Sequence, residues 1–195
     1  MCPVSKKKNI AILGWGSLLW DPQPGFDIQR DDWQFDGPTL KLEFSRKSKS
    51  RGNALTLVID PAHGQECRVA YALSKRTNPE DTICDLRSRE GTTSEKIGYF
   101  FADGPRHRAR DESSVGAIRL WAEEKALDVV VWTDLDGDFD EVSRDEFVKR
   151  AVQHIQGLSP AGKAKAAEYV WRAPDFVATA LRRVLEAEPW FRTLK

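Results

Sequence analysis

Within Asn9 to Leu13 the apolar and β-branched residues read as a buried strand that stops at Gly14-Trp15-Gly16-Ser17, so the strand is expected to end in a glycine-punctuated turn. Thr39 to Ser45 sets Leu40, Leu42 and Phe44 against polar neighbours, and Ala54 to Ile59 is a β-rich run closed by Asp60-Pro61. Arg68 to Leu73 alternates again after a His63-Gly64 turn, which predicts an antiparallel meander over residues 39 to 73. Asn78-Pro79-Glu80 is a helix start, and Ile83 and Leu86 form an inward side before Gly91 stops it. Gly98 to Ala102 and Val129 to Trp132 read as strands, with a partly helical stretch around Ile118 to Ala126 between them. Ser143-Arg144-Asp145-Glu146 is a capping box ahead of Phe147, Val148, Ala151, Val152 and Ile155, predicting a helix over 144–156. Beyond a loop at Ser159 to Gly162, helices are expected from Lys163 to Trp171 and from Ala173-Pro174 to about Glu188.

Strands first and helices last fit an α+β domain whose mixed, largely antiparallel sheet curls toward a small barrel with flanking helices, rather than a βαβ winding. The length of 195 residues suits one domain over 1–195, with residues 1–8 as a flexible tail. Lys and Arg (30) balance Asp and Glu (30), so no net field recruits nucleic acid, and the short basic runs read as solvated tail or loop. Cys2, Cys67 and Cys84 are odd in number and lack Cys-x-x-Cys spacing, which suits reduced thiols in the cytoplasm. No apolar run approaches the roughly 20 residues that span a bilayer, so no membrane role is expected.

Several motifs fail on inspection. Gly14-x-Gly16 follows a strand but has Leu19 where a dinucleotide fingerprint needs a third small residue, and no Gly-Lys-Ser/Thr phosphate loop exists. Asp134, Asp136, Asp138 and Asp140 alternate like a calcium loop, yet Phe139 replaces its turn glycine and Asp145 its final Glu, so no metal is assigned. Ser17 lacks the second glycine of a nucleophile elbow.

The glycine turn itself remains, with two small residues that let successive amides approach an anionic group beside a hydroxyl. An ordinary tight turn would use the same residues. Glu90 is also out of place, because a helix dipole disfavours a carboxylate at its C-terminal end. Burial there would make it a better base near neutrality, whereas a surface Glu would carry no role.

Ile12-Leu13-Gly14-Trp15-Gly16-Ser17-Leu18-Leu19-Trp20-Asp21-Pro22 resembles the opening motif of the gamma-glutamylcyclotransferase-like family, whose hallmark is Tyr-Gly-Ser-Leu after the first strand. The glutathione-specific branch looks closest there. Phe44-Ser45, Arg51-Gly52, Thr56-Leu57 and Val69 to Leu73 look like further strands of that family, and Leu86 to Glu90 is similar to the segment holding its catalytic Glu. Gly157 to Gly162 with Glu168-Tyr169-Val170 looks like a looser version of its late loop and helix.

The resemblance implies a small mixed β-barrel and a substrate cradle made by the amides of Trp15, Gly16, Ser17 and Leu18. It implies Glu90 as the base that frees the substrate's α-amine to attack its own γ-carbonyl, giving 5-oxoproline and releasing the amine or amino-acid part. Such ring closure needs orientation and one base, and no cofactor. The partner is then a small gamma-glutamyl compound, with the protein a monomer or homodimer. Arg46 and Arg51 are candidates for a substrate carboxylate. Trp15 stands where the family has Tyr, and the polar Gly91-Thr92-Thr93-Ser94 linker is longer than the glutathione branch uses. The alternative is a small-molecule-binding or regulatory module on the same fold.

Overall fold

The computed structural model describes residues 8–195. The expected tail over residues 1–8 lies outside them except for Lys8, whose ammonium sits 2.9 Å from the Asp103 carboxylate. In chain order the elements are β1 (Ile10–Gly14), α1 (Pro24–Asp27), β2 (Thr39–Ser48), β3 (Ala54–Ile59), β4 (Gln65–Arg68), β5 (Ala70–Leu73) and α2 (Pro79–Glu90). Then follow β6 (Ile97–Phe101), β7 (His107–Arg108), α3 (Glu112–Glu124), β8 (Val129–Thr133), α4 (Arg144–Gln156), α5 (Pro160–Arg172), α6 (Ala180–Ala187) and α7 (Pro189–Arg192). The mixed α+β class is as expected. None of the described helices is long and apolar enough to cross a membrane.

The chain divides into two compact units that interleave in sequence. The first comprises residues up to Gly14, Pro22–Pro38 and Ala70–Asp134, and it holds a five-stranded sheet in the order β5-β1-β8-β6-β7. Its central strands β1 and β8 are parallel, with Ile10 opposite Val129 and Ile12 opposite Val131, and the other pairs are antiparallel. Every residue of β1 and β8 is buried, which is why both read as continuous apolar runs rather than alternating ones. Helix α2 starts as its sequence dictates: the Asn78 side chain accepts from the Glu80 amide, and Pro79 occupies the first turn. Thr82, Ile83 and Leu86 are buried, and Gly91 ends the helix in the left-handed region at φ 57°.

The second unit comprises Trp15–Asp21, Thr39–Val69 and Leu135–Lys195. Its three-stranded antiparallel sheet has the order β3-β2-β4, not the meander order expected for residues 39 to 73. The long strand β2 pairs on both sides, Thr39–Leu42 with β4 and Leu42–Ser48 with β3, so it becomes the centre. The run expected as one strand from Arg68 to Leu73 is cut at Val69, with β4 in one sheet and β5 in the other. Neither sheet closes on itself among the described residues, so the expected barrel does not form: β5 and β7 end one sheet, β3 and β4 the other. Two residues of β7 are too few to carry a closing ladder.

In the helical segment, Ser143 caps α4 as the capping box predicts, accepting from the Glu146 amide at 3.3 Å. Helix α5 begins earlier than expected, because Ser159 caps it and Pro160 takes its first position. The last expected helix starts only at Ala180, where Thr179 caps, and ends at Ala187, close to the expected end; α7 follows from Pro189.

Candidate active site

The turn after β1 is a single 3-10 turn over Gly16–Leu19. Trp15 is extended, Gly16 adopts φ +60°, and the Ser17 carbonyl accepts from the amides of Trp20 (3.3 Å) and Asp21 (2.9 Å). A positive φ at Gly16 is the reason glycine is required. Space is the second reason, because a β-carbon at Gly16 would collide with the hydroxyl of Tyr169. Trp15 and Leu18 are almost fully covered.

Helix α5 brings Tyr169 to this turn, where it meets Trp20, Phe44 and Arg51. Its ring meets Trp20 edge to face at 5.6 Å and Phe44 at 6.2 Å. The Arg51 guanidinium lies 5.3 Å from the ring centres of both Trp20 and Tyr169, and donates to Asp21 Oδ2 at 3.1 Å. Arg172, the last residue of α5, also lies over Trp20, 4.5 Å from its ring centre. Of the two arginines singled out in the sequence, Arg51 therefore stands beside the glycine turn. Arg46 is held elsewhere in the unit, donating to the Asp136 carbonyl at 3.1 Å. Tyr169, Trp20 and Arg172 were not candidates from sequence. The only signal was Glu168-Tyr169-Val170, which resembles a late family segment but says nothing of what the phenol touches.

In the first unit, Glu90 is the final helical residue of α2, and the Gly91 amide donates back to the Arg87 and Ser88 carbonyls. The Glu90 side chain is 17% exposed, and its Oε1 lies 3.7 Å from the Arg89 guanidinium. It is thus neither a solvated surface carboxylate nor a sealed one. Residues 91–96 then lead into β6, where Ile97 pairs with Thr133 at the C-terminal end of β8, and the Asp134 amide donates to the Lys96 carbonyl at 2.8 Å. Because β1 is parallel to β8, Gly14 leaves the sheet at that same edge. The C-terminal edge of a parallel pair is where α/β sheets characteristically place ligands.

The acidic run from Asp134 to Asp140 has other work. Asp134 accepts from the Arg110 amide at 2.6 Å, and Asp138 accepts from the Lys47 amide at 2.6 Å. Among the described residues, no group of three His, Cys, Asp or Glu side chains is arranged to hold a metal ion.

The second unit also contains buried titratable groups that the sequence did not single out. Glu43, on β2, is fully buried and accepts from the amides of Phe44 (2.8 Å) and Leu181 (3.4 Å), so it reaches the first turn of α6. Burial pushes its carboxyl up to about 7, aided by the charge of Asp60 and opposed by hydrogen bonds from Thr179, Phe44 and Leu181. Burial would also raise Asp60, but hydrogen bonds from the His63 amide and the His63 ring outweigh it and hold that carboxyl below its usual range. His63 stacks on Phe147 at 4.4 Å with Nδ1 3.2 Å from Asp60 Oδ2. No family model, curated protein or solved structure matches the chain.

Proposed function

We propose that the protein is a gamma-glutamylcyclotransferase-like enzyme of the cytoplasm that converts a gamma-glutamyl compound to 5-oxoproline and a free amine or amino acid. The observation that carries this reading lies in the first unit: β1 runs out at Gly14 at the sheet edge where β6 begins, and residues 91–96 link Glu90 to that start of β6. That arrangement supports the roles drawn from the resemblance. The Trp15 to Leu18 amides hold the gamma-glutamyl group. Glu90 takes a proton from the substrate's α-ammonium. The freed nitrogen lone pair attacks the γ-carbonyl carbon, forming the ring C–N bond. The ring nitrogen gives up its second proton, the bond from that carbon to the departing nitrogen breaks, and the two protons released by the α-nitrogen leave on the departing amine as its ammonium. Nucleophile and electrophile belong to one molecule, so orientation and a single base suffice, and no cofactor enters the balance.

A second reading, a binding or regulatory module on the same fold, is favoured by one observation. The indole of Trp15 is only 6% exposed, so the position where the family offers a phenol is packed into the interior. Release of 5-oxoproline from glutathione, gamma-glutamyl amino acids and gamma-glutamyl amines separates the two: turnover of any of them supports the enzyme, and saturable binding without turnover supports the module.

A further inference from the structure

Within the first unit, the segment from Pro22 to Phe26 and helix α2 flank a cavity of about 540 Å³. That is the size of a small-molecule site and more room than an inorganic ion needs. Helix α2 contributes Asp85, Ser88 and Arg89, whose i, i+3, i+4 spacing puts them on one helix face. Arg89 is the buried member of the three. Its side chain is only 6% exposed, and its Nη1 lies 3.7 Å from Glu90 Oε1, longer than a direct hydrogen bond. Asp85 does not cancel this cation, because Arg76 already donates to both of its carboxylate oxygens, at 2.7 and 3.0 Å. Ser88 is exposed and adds a hydroxyl to the same face. A guanidinium carries five N–H groups in a planar fork, so Arg89 can take up a two-oxygen partner beside its contact with Glu90.

The facing wall is apolar. Pro22, Pro24 and Phe26 offer ring surfaces to the cavity, and a β-carbon at Gly25 would meet nothing, so the wall is open between them. One charged group facing flat apolar surfaces orients a ligand by one end and selects the shape of the other. We propose that this cavity is a binding site for a small carboxylic acid with a flat apolar body, its carboxylate on Arg89 and Ser88 and its body against Pro22, Pro24 and Phe26. The lining comes wholly from the first unit, whereas the Trp15–Leu18 turn belongs to the second. The occupant is therefore a second ligand, and the inference does not depend on the cyclotransferase reading.

The test is calorimetry of the whole protein with naphthylacetate, naphthylacetamide and inorganic phosphate. The acid is expected to bind about tenfold more tightly than the amide, the order of one charge-assisted hydrogen bond, and phosphate more weakly than the acid. Arg89 is buried, so the charge is probed at its exposed neighbour instead. Ser88→Lys should tighten the acid by about threefold or more, and Ser88→Glu should weaken it by about tenfold, each leaving the amide unchanged. Gly25→Leu, which fills open space, should weaken acid and amide together. Absence of acid binding, equal affinity for acid and amide, phosphate binding as tight as the acid, or an acid affinity indifferent to both Ser88 substitutions would overturn the proposal. Displacement of bound naphthylacetate by gamma-glutamyl-alanine would also overturn it, by making the cavity part of the substrate site, whereas failure to release 5-oxoproline bears on the cyclotransferase reading alone.

Discussion

The phenolic hydroxyl of Tyr169 occupies the space where a side chain at residue 16 would begin, so Gly16 and Tyr169 form one packed unit joining the glycine turn to α5. Gly16→Ala meets two separate costs, a left-handed backbone at φ +60° and the collision with Tyr169. Together they should destabilise the protein by about 2 to 4 kcal/mol in urea unfolding. In a Tyr169→Phe background the closest contact is removed while the backbone cost remains, so the same substitution should cost about 1 to 2 kcal/mol. Strict additivity of the two changes would show that the phenol does not press on residue 16.

Glu43 supplies a pH signature. Its folded carboxyl is raised from 4.5 to about 7, so between those values the folded state binds a proton that the unfolded chain does not. Stability from this group is complete below about pH 4.5 and is lost as pH rises to 7, by at most about 3 kcal/mol. Urea midpoints at pH 5 and pH 8 should show the loss in the parent and a flatter profile in Glu43→Gln. A parent that loses no more stability than the variant over this interval would contradict the burial assigned to Glu43.

Asp60 has the opposite sign. Its folded carboxyl lies below 3.8, so its contribution is present above that value and disappears as pH falls through the folded pKa. Asp60→Asn removes the charge facing His63 and should cost about 1 to 3 kcal/mol at pH 7. It should also weaken the acid limb of the stability profile, which unfolding between pH 2 and pH 5 reads directly.

Gly98 lies in β6 opposite Trp132, and a β-carbon there would enter the indole ring of that fully buried side chain. Gly98→Ala should therefore be destabilising by about 2 to 4 kcal/mol, although alanine ordinarily favours a strand no less than glycine does. Gly116, whose β-carbon would meet nothing, provides the control: Gly116→Ala in the middle of α3 should stabilise by up to about 1 kcal/mol.

Local chemistry in the sequence was a good guide where the physical cause is itself local. Asn78-Pro79, Gly91 and Ser143 with Glu146 act through their own neighbours, and the structure uses each of them as expected. Pairing over distance was harder to read. Nothing within residues 39–73 says that β2 must lie between β3 and β4, or that Val69 must divide one apolar run between two sheets. The pull toward a barrel came from the resemblance and from the order of strands before helices, not from any residue that dictates closure. At the candidate site, Gly16 and Arg51 were visible from sequence, while Tyr169 and Arg172 were hidden because they arrive on α5, far along the chain. Glu43 and His63 looked like an exposed strand position and a turn residue. They are buried because α6 and α4 supply Leu181 and Phe147 against them.

The most direct test of the proposed chemistry is release of 5-oxoproline, measured for the parent and Glu90→Gln side by side across glutathione, gamma-glutamyl amino acids and gamma-glutamyl amines. If Glu90 is the general base, the parent releases 5-oxoproline, and Glu90→Gln, with unchanged thermal unfolding, loses at least about a hundredfold in kcat, the scale of general-base catalysis. Equal release from both proteins would remove Glu90 from the mechanism, and no release from any substrate by the parent would contradict the cyclotransferase assignment.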